Sequence, residues 1–386
     1  MIIKKNIYCM YGISLLQGMV FYGPIATLYR QNAGLNIFQI TLIESISLVL
    51  TIALELPWGV IADKIGYRRT MLVCTFLFFV SKIIFWQAYT FLGFLLERIL
   101  LSAVISGLSG VDSSLLYLSC PEEKSQQTFA VYQQLGTVGL LIASGVYALV
   151  IKDDYRFAAL LTMISYGLAV ILAFGIEEVR DVSNNSISQS KEMIAMTKRL
   201  FRNGSLLMFL AGIALVNETH QTITVFLNQL QYMACGMSSQ DIGLVYIVMT
   251  LSGLLGCFSM QLTKLLKPGR TLKLLIVIPL FCCLVLGLTK QAAISVAAVL
   301  LMHIAFQLLN PLQLKIQNHE VVSQQRATEL SVNAVVMDAL AVMTNLIFGK
   351  VADLSLSSAF FLGAVFCLAA YLCCSFYLRK AALTSI

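Results

Sequence analysis

Glu55-Leu-Pro-Trp-Gly59-Val-Ile-Ala-Asp63-Lys64-Ile-Gly66-Tyr-Arg68-Arg69 closes one long apolar stretch and leads into another. Glu55, Gly59 and Asp63 recur every fourth residue, so on a helix they share one face. Gly59 lets a neighbouring helix approach closely. Asp63 falls at a helix C-terminus, where the dipole disfavours a negative charge. It therefore needs an opposing base or the N-terminus of another helix. Lys64, Arg68 and Arg69 stand beside apolar sequence, where a membrane-crossing chain carries its cationic anchors.

The rest of the chain fits that reading. Of 386 residues, 59% are hydrophobic and 12% charged, with a mean hydropathy of +0.84. A soluble domain carries roughly 25% charged residues, so this surface must face lipid. A span needs ~20 apolar residues, and twelve such stretches follow one another: 7–29, 37–62, 71–90, 91–118, 128–151, 156–176, 205–232, 240–263, 271–289, 291–313, 328–349 and 356–378. Backbone amides in lipid must bond within their own segment, so each stretch is expected to be helical. With the N-terminus inside, 19 of the 26 Lys and Arg fall in loops on the cytoplasmic side. Five (Arg30, Lys152, Arg156, Lys290 and Lys350) fall outside, and Lys82 and Arg98 lie within spans. That asymmetry predicts both termini in the cytoplasm and a multi-pass protein of the cell membrane. The basic residues are thus topological and do not imply nucleic acid. The N-terminal apolar stretch continues as a full span and does not read as a cleavable signal. The ten cysteines lie mostly in apolar runs and read as small buried side chains.

The expected fold is all-α: a six-span half (1–176), a cytoplasmic linker (177–204) and a second six-span half (205–386). Within the linker, Lys191 to Arg202 fits a short basic amphipathic helix on the inner leaflet.

The quoted loop resembles the cytoplasmic motif of the major facilitator superfamily, G-x-x-x-D-(R/K)-x-G-(R/K)-(R/K). It matches at Gly59, Asp63, Lys64, Gly66, Arg68 and Arg69, preceded by the Glu-x-Pro-x-Gly variant of one broad subset. Tyr67 stands where many members are already basic. With the six-plus-six arrangement, the resemblance covers essentially the whole chain. It implies a conformational latch at this motif, with Asp63 meeting the start of span eleven near Arg326-Ala-Thr328. It also implies a charge partner within the N-terminal half for Arg98, and Glu122 and Glu123 as partners for Arg68 or Arg69. A degenerate copy of the loop, Thr263-Lys-Leu-Leu-Lys-Pro-Gly269-Arg270, recurs in the second half without the aspartate, as weakly repeated halves would give. Drug antiporters of the family often have a Gly-Pro-rich fifth span; here Leu135 to Gly145 has small residues and no proline.

A solute path needs polar groups on otherwise apolar helices. Span seven carries Asn217, His220, Gln221, Thr224, Asn228 and Gln231 at spacings of three and four. Span ten repeats this with His303, Gln307 and Asn310, and span four with Arg98, Ser102, Ser106, Ser109 and Ser113. In the family, spans one, four, seven and ten line the cavity. The alternative for the serines is that they glue helices together. Ionisable residues in lipid default to functional hypotheses, which makes Glu55, Asp112, Glu218 and Asp338 candidate proton carriers. Glu55 alternatively pairs structurally near the loop motif. His220 and His303 either titrate or hydrogen-bond uncharged. Glu44 lies at a depth where Arg98 reaches it, and that pair reads as structural.

The expectation is a secondary active transporter of a small organic solute, proton-coupled, with export favoured over import and monomeric in the bilayer. An uncoupled facilitator, an uptake symporter and a non-transporting membrane sensor are the alternatives. No nucleotide-binding loop, nucleophile–base set or metal cluster is visible, so neither an enzyme nor a primary pump is expected, and no cofactor or metal. The polar groups are mostly neutral with scattered carboxylates, which favours neutral or cationic solutes.

Overall fold

A computed structural model describes residues 2–121, 125–179, 203–320 and 326–384. Glu122, Glu123 and the basic linker segment 191–202 lie outside the described residues, as do the side chains of Gly59, Asp63, Arg326 and Thr328. All regular structure among the described residues is helical.

Among the described residues, eleven helices are long and apolar enough to cross a membrane. The twelfth, built from Gly204–Gln221, Thr222–Leu227 and Asn228–Ala234, has the length. Its polar residues dilute its hydropathy, so it is absent from the eleven. Leu92, Leu149, Ile171, Phe174 and Leu265 are exposed on the helix surfaces, as lipid-facing side chains must be.

Two compact units divide the chain. The first comprises Met1–Asn184 with Ser238–Ile247, the second Asn185–Met237 with Val248–Ile386. In the first unit, span one packs on spans five and six, span four on spans two and three, and span three on span six. In the second, span seven packs on eleven and twelve, span ten on eight and nine, and span nine on twelve. Adding six to every span number converts one set of pairings into the other, so the two halves repeat one helical arrangement. The start of span eight joins the first unit, where Ser239 shares a 2.8 Å hydrogen bond with the Tyr155 hydroxyl. Each unit has its own apolar core, around Met10, Ile13, Met71 and Leu115 in the first and Phe209, Ile213, Leu275 and Leu309 in the second.

Spans two and three are joined more tightly than the hydropathy suggests. Ile37–Ile65 and Tyr67–Gln87 leave Gly66 alone between them. Asp63 and Lys64 therefore belong to the last helical turn, and Arg68 and Arg69 to the first turn of the next. One residue reverses the chain because Gly66 adopts φ +89°, open to glycine at little cost. Two basic residues at a helix N-terminus oppose the dipole. Glu178 compensates: its carboxylate accepts from the Arg68 amide at 3.3 Å, while Arg68 Nε donates to the Ile176 carbonyl at 2.7 Å.

Span one is a broken helix. Ile2–Gly18 ends well inside the apolar stretch, and Ala26–Asn32 resumes after a turn containing Pro24. The carbonyls and amides released by the break need partners, and span six supplies three. Ser165 donates to the Leu16 carbonyl at 2.6 Å, Tyr166 to the Gln17 carbonyl at 2.7 Å, and Thr162 accepts from the Phe21 amide at 3.0 Å. Span four is interrupted as well, between Phe91–Leu108 and Val111–Leu118, where Gly110 takes φ +82°.

The small residues of span five serve a close approach to span one. A Cβ on Gly18 or Gly139 would overlap backbone atoms of Gly136 and Leu15 respectively. No disulfide occurs among the ten cysteines; Cys74, Cys282, Cys283, Cys367 and Cys374 are buried, whereas Cys257 is exposed.

Candidate functional site

Two polar centres occupy the membrane-spanning parts of the chain, one in each unit. In the first unit, five ionisable side chains gather just inside the end remote from the N-terminus. Arg30 comes from the resumed helix of span one, Glu44 from span two, Lys82 from span three, and Glu97 and Arg98 from span four. Lys82 Nζ lies 3.2 Å from Glu97 Oε1 and donates to the Tyr22 hydroxyl at 3.1 Å. Glu44 is shared: Arg98 contacts it closely, and Arg30 reaches it at 3.4 Å. Tyr22 and Tyr29 both stack on Phe85, at 4.1 and 4.7 Å between ring centroids, which closes the cluster with aromatic faces.

The sequence places Arg30 in an exposed loop, and the structure corrects this. Its side chain is 3% exposed, because it lies on the helix that resumes after Pro24, against Glu44 and the Phe85 ring. The Glu44–Arg98 pair forms as its depth in the sequence implies. Lys82 and Glu97 are a second pair that no local spacing reveals, since fifteen positions and a helical hairpin separate them. The serine stripe of span four turns to span two: Ser102 shares a 2.7 Å hydrogen bond with Ser47, and Ser106 donates to the Thr51 carbonyl at 2.8 Å. Those serines join helices.

In the second unit, the polar residues of spans seven and ten meet. His220 Nε2 is 3.1 Å from His303 Nδ1, and His303 Nε2 is 3.2 Å from Gln307 Nε2. The His220 ring lies flat on Phe306, 3.8 Å between centroids and 6° apart in plane. Gly253 of span eight faces the pair, leaving space beside His303 and Gln307. An amide nitrogen is donor-only. With Gln307 Nε2 donating, His303 Nε2 must accept, His303 Nδ1 carries the proton, and His220 Nε2 accepts in turn. The chain thus has a direction, which reverses if the Gln307 amide turns over.

Further along the stripe, Gln231 donates to Ser295 Oγ and to the Thr289 carbonyl, both at 3.1 Å. Thr224 is tied to the His220 carbonyl at 2.8 Å, and Asn310 accepts from Gln313 at 2.8 Å. The stripe is not a single face, because the wider helical turn at Thr222–Leu227 shifts its register. Gln221 is exposed, while His220, Thr224 and Asn228 are buried. Asn217 Oδ1 is buried without a hydrogen-bond donor.

The four candidate carboxylates differ. Glu218 is buried and accepts from Thr222 Oγ1 at 3.1 Å. Asp112 is half-buried in the first turn after the Gly110 break, where the Ser113 amide donates to it at 2.6 Å. Asp338 is half-buried and Glu55 exposed. No group of three or more His, Cys, Asp or Glu that could hold a metal ion occurs among the described residues.

The sequence profile of the Major Facilitator Superfamily matches residues 7–344. An uncharacterized MFS-type transporter of Methanocaldococcus jannaschii is 28% identical over 141 residues, which is 36% of this chain and 36% of that protein. The alignment thus spans about a third of that relative. Among solved structures, the nucleoside transporter NupG superposes with a TM-score of 0.80 at 14% identity, covering 97% of this chain and 99% of that one. A D-xylose–proton symporter gives 0.70 at 13% identity, covering 95% and 97%. A bacterial homologue of the human lysosomal transporter Spinster, inward-facing and unoccupied, gives 0.69 at 14%, covering 99% and 95%. At such identities the likeness is one of fold.

Proposed function

From the premise that this chain belongs to the Major Facilitator Superfamily, we propose that it is a secondary active transporter of a small polar organic solute, driven by proton exchange. The proposal places it in the cell membrane as a monomer with both termini cytoplasmic, working by alternating access and with export favoured over import. The loop motif acts as the latch, with Asp63 engaging the start of span eleven near Arg326 in one state and releasing it in the other.

The observation that carries the reading is the His220–His303–Gln307 chain. Two imidazoles in contact, His220 buried and His303 half-buried, ending on an amide that can turn over, can take up a proton at one end and release it at the other. His303 would receive the proton on Nε2 as Gln307 presents its carbonyl oxygen in place of its amide. Glu218, buried on the same helix, is the carboxylate best placed to exchange protons with that region. A solute with hydrogen-bonding edges would meet Gln307, Asn217 and Asn310, none of which imposes a charge.

The test is flux. Solutes that raise the unfolding temperature of the purified protein are loaded into proteoliposomes, and efflux is measured with and without a pH gradient. Gradient-dependent flux that is lost in Gln307→Leu supports the proposal. Flux indifferent to the gradient makes the protein a facilitator; binding without flux makes it a sensor.

A further inference from the structure

We propose that the charged cluster of the first unit is a binding site for a small monovalent anion, held between Arg30 and Arg98. The inference stands apart from proton coupling and from the histidine centre. Among the described residues the cluster contains three bases, Arg30, Lys82 and Arg98, and two acids, Glu44 and Glu97. Lys82 is satisfied by Glu97 and the Tyr22 hydroxyl. The remaining two guanidinium groups share the carboxylate of Glu44, and Glu97, already paired with Lys82, lies 3.8 Å from Arg98. Arginine does not shed its proton in a protein, so one positive charge is left over.

That charge is buried. Arg30 is 3% exposed, Lys82 4% and Glu97 1%. Counting helical rise, Glu44, Lys82 and Arg98 all lie roughly 8–11 Å inside the ends of their helices. An uncompensated charge at that depth is costly and calls for a counter-charge. The hydrogen-bonding pattern shows where it is missing: Arg30 Nε and Arg98 Nε are both buried without an acceptor. Arg98 Nε faces Glu97 Oε2, likewise buried without a hydrogen bond, across a 3.8 Å ion pair, so the shortfall falls chiefly on Arg30. Arg30 Nε has no such neighbour, and its guanidinium lies 5.8 Å above the Phe85 ring.

Two arginines converging on one carboxylate, with spare N–H groups on each, form a receptor for a second carboxylate-sized anion. Entry is past Arg98 and Glu44, the more open members of the cluster at 21% and 14% exposure. The occupant is either a free halide or the carboxylate of an organic solute.

Thermal unfolding of the full-length purified protein decides the matter. It is titrated with sodium chloride and separately with sodium acetate, while sodium HEPES, a bulky sulfonate without a carboxylate, holds the ionic strength constant. The expected result is a saturable rise in unfolding temperature. A rise with chloride, alone or with acetate, assigns a free anion; a rise with acetate alone assigns a solute carboxylate. Arg30→Gln leaves two bases facing two acids and should abolish the rise. Glu44→Gln leaves three facing one and should lower the half-saturating concentration roughly tenfold or more. Absence of a saturable rise in the unaltered protein overturns the proposal. So does a shift of half-saturation in the same direction by both variants, since the cluster is then a closed ion-pair network. If either variant fails to insert, the unaltered protein's titration decides alone.

Discussion

Tyr166 donates its hydroxyl hydrogen to the carbonyl of Gln17 at 2.7 Å, at the level where the first span stops being a helix. Span six thereby does for span one what the next helical turn would otherwise do. Neither residue announces the arrangement, since Tyr166 reads as one more aromatic in an apolar run. The break and its repair are one feature, and both are open to test.

Thr162→Val keeps the volume and removes the acceptor of the Phe21 amide. A buried amide left without a partner costs about 1–3 kcal/mol, so the unfolding temperature in detergent should fall. Val on the neighbouring Ala158 position, which is buried but bonds nothing in the break, tests packing only. If Thr162→Val is neutral, the amide has another acceptor.

Gly139→Leu should prevent spans one and five from closing, because even a Cβ there meets the Leu15 carbonyl. Overpacking typically costs 1–3 kcal/mol, and against backbone it should exceed that range. Gly145→Ala, six residues along the same span, has open space around it and should be tolerated. Monodispersity on size exclusion separates the two; equal behaviour would refute the close-approach assignment.

Lys82→Met leaves Glu97, 1% exposed, without its hydrogen-bonded base and with only Arg98, 3.8 Å away, beside it. Breaking a buried pair from one side costs about 3–5 kcal/mol, so folded yield should drop sharply. Lys82→Met combined with Glu97→Leu removes both charges and should recover much of the loss. Chemical denaturation of Lys82→Met, Glu97→Leu and the double variant checks it, and additive losses would show that the two residues are not coupled.

Asp63→Asn should abolish most transport while leaving insertion and folding intact, if the loop motif is a latch. Gly66→Ala should act differently. Its positive φ and the nearby Glu178 carboxylate make it a folding lesion, visible as lost stability. Flux and unfolding temperature measured together distinguish the two; full activity in Asp63→Asn would rule out the latch.

Much of the architecture is legible in the sequence because lipid imposes simple rules. Twelve apolar stretches, the charge asymmetry and the Glu55–Arg69 segment lead directly to the helical bundle. The Glu44–Arg98 pair is legible too, since both residues fall at one depth on adjacent spans. Periodicity, however, says which residues share a face and not which helix covers it. Ser102 and Ser106 therefore read equally as lining or as glue, and only the packing of span four on span two decides. The break in span one is hidden for another reason: Pro24 lies six residues beyond Gly18, where the helix stops, and the compensating donors sit 149 positions away. Arg30 is misread as a consequence, because a straight span would carry it into water.

The seventh span has a consequence for how the protein is made. A nascent helix leaves the translocon when it is greasy enough to prefer lipid, and residues 204–234 fall short of the hydropathy that the other eleven reach. Its partners are spans eleven and twelve, against which Phe209 and Ile213 pack. These emerge more than a hundred residues later. Until they arrive, the segment that carries His220 and Glu218 has no complete bundle in which to hide its polar side. A span this polar is expected to settle in the bilayer only as those partners arrive, so its insertion should depend on helices made after it.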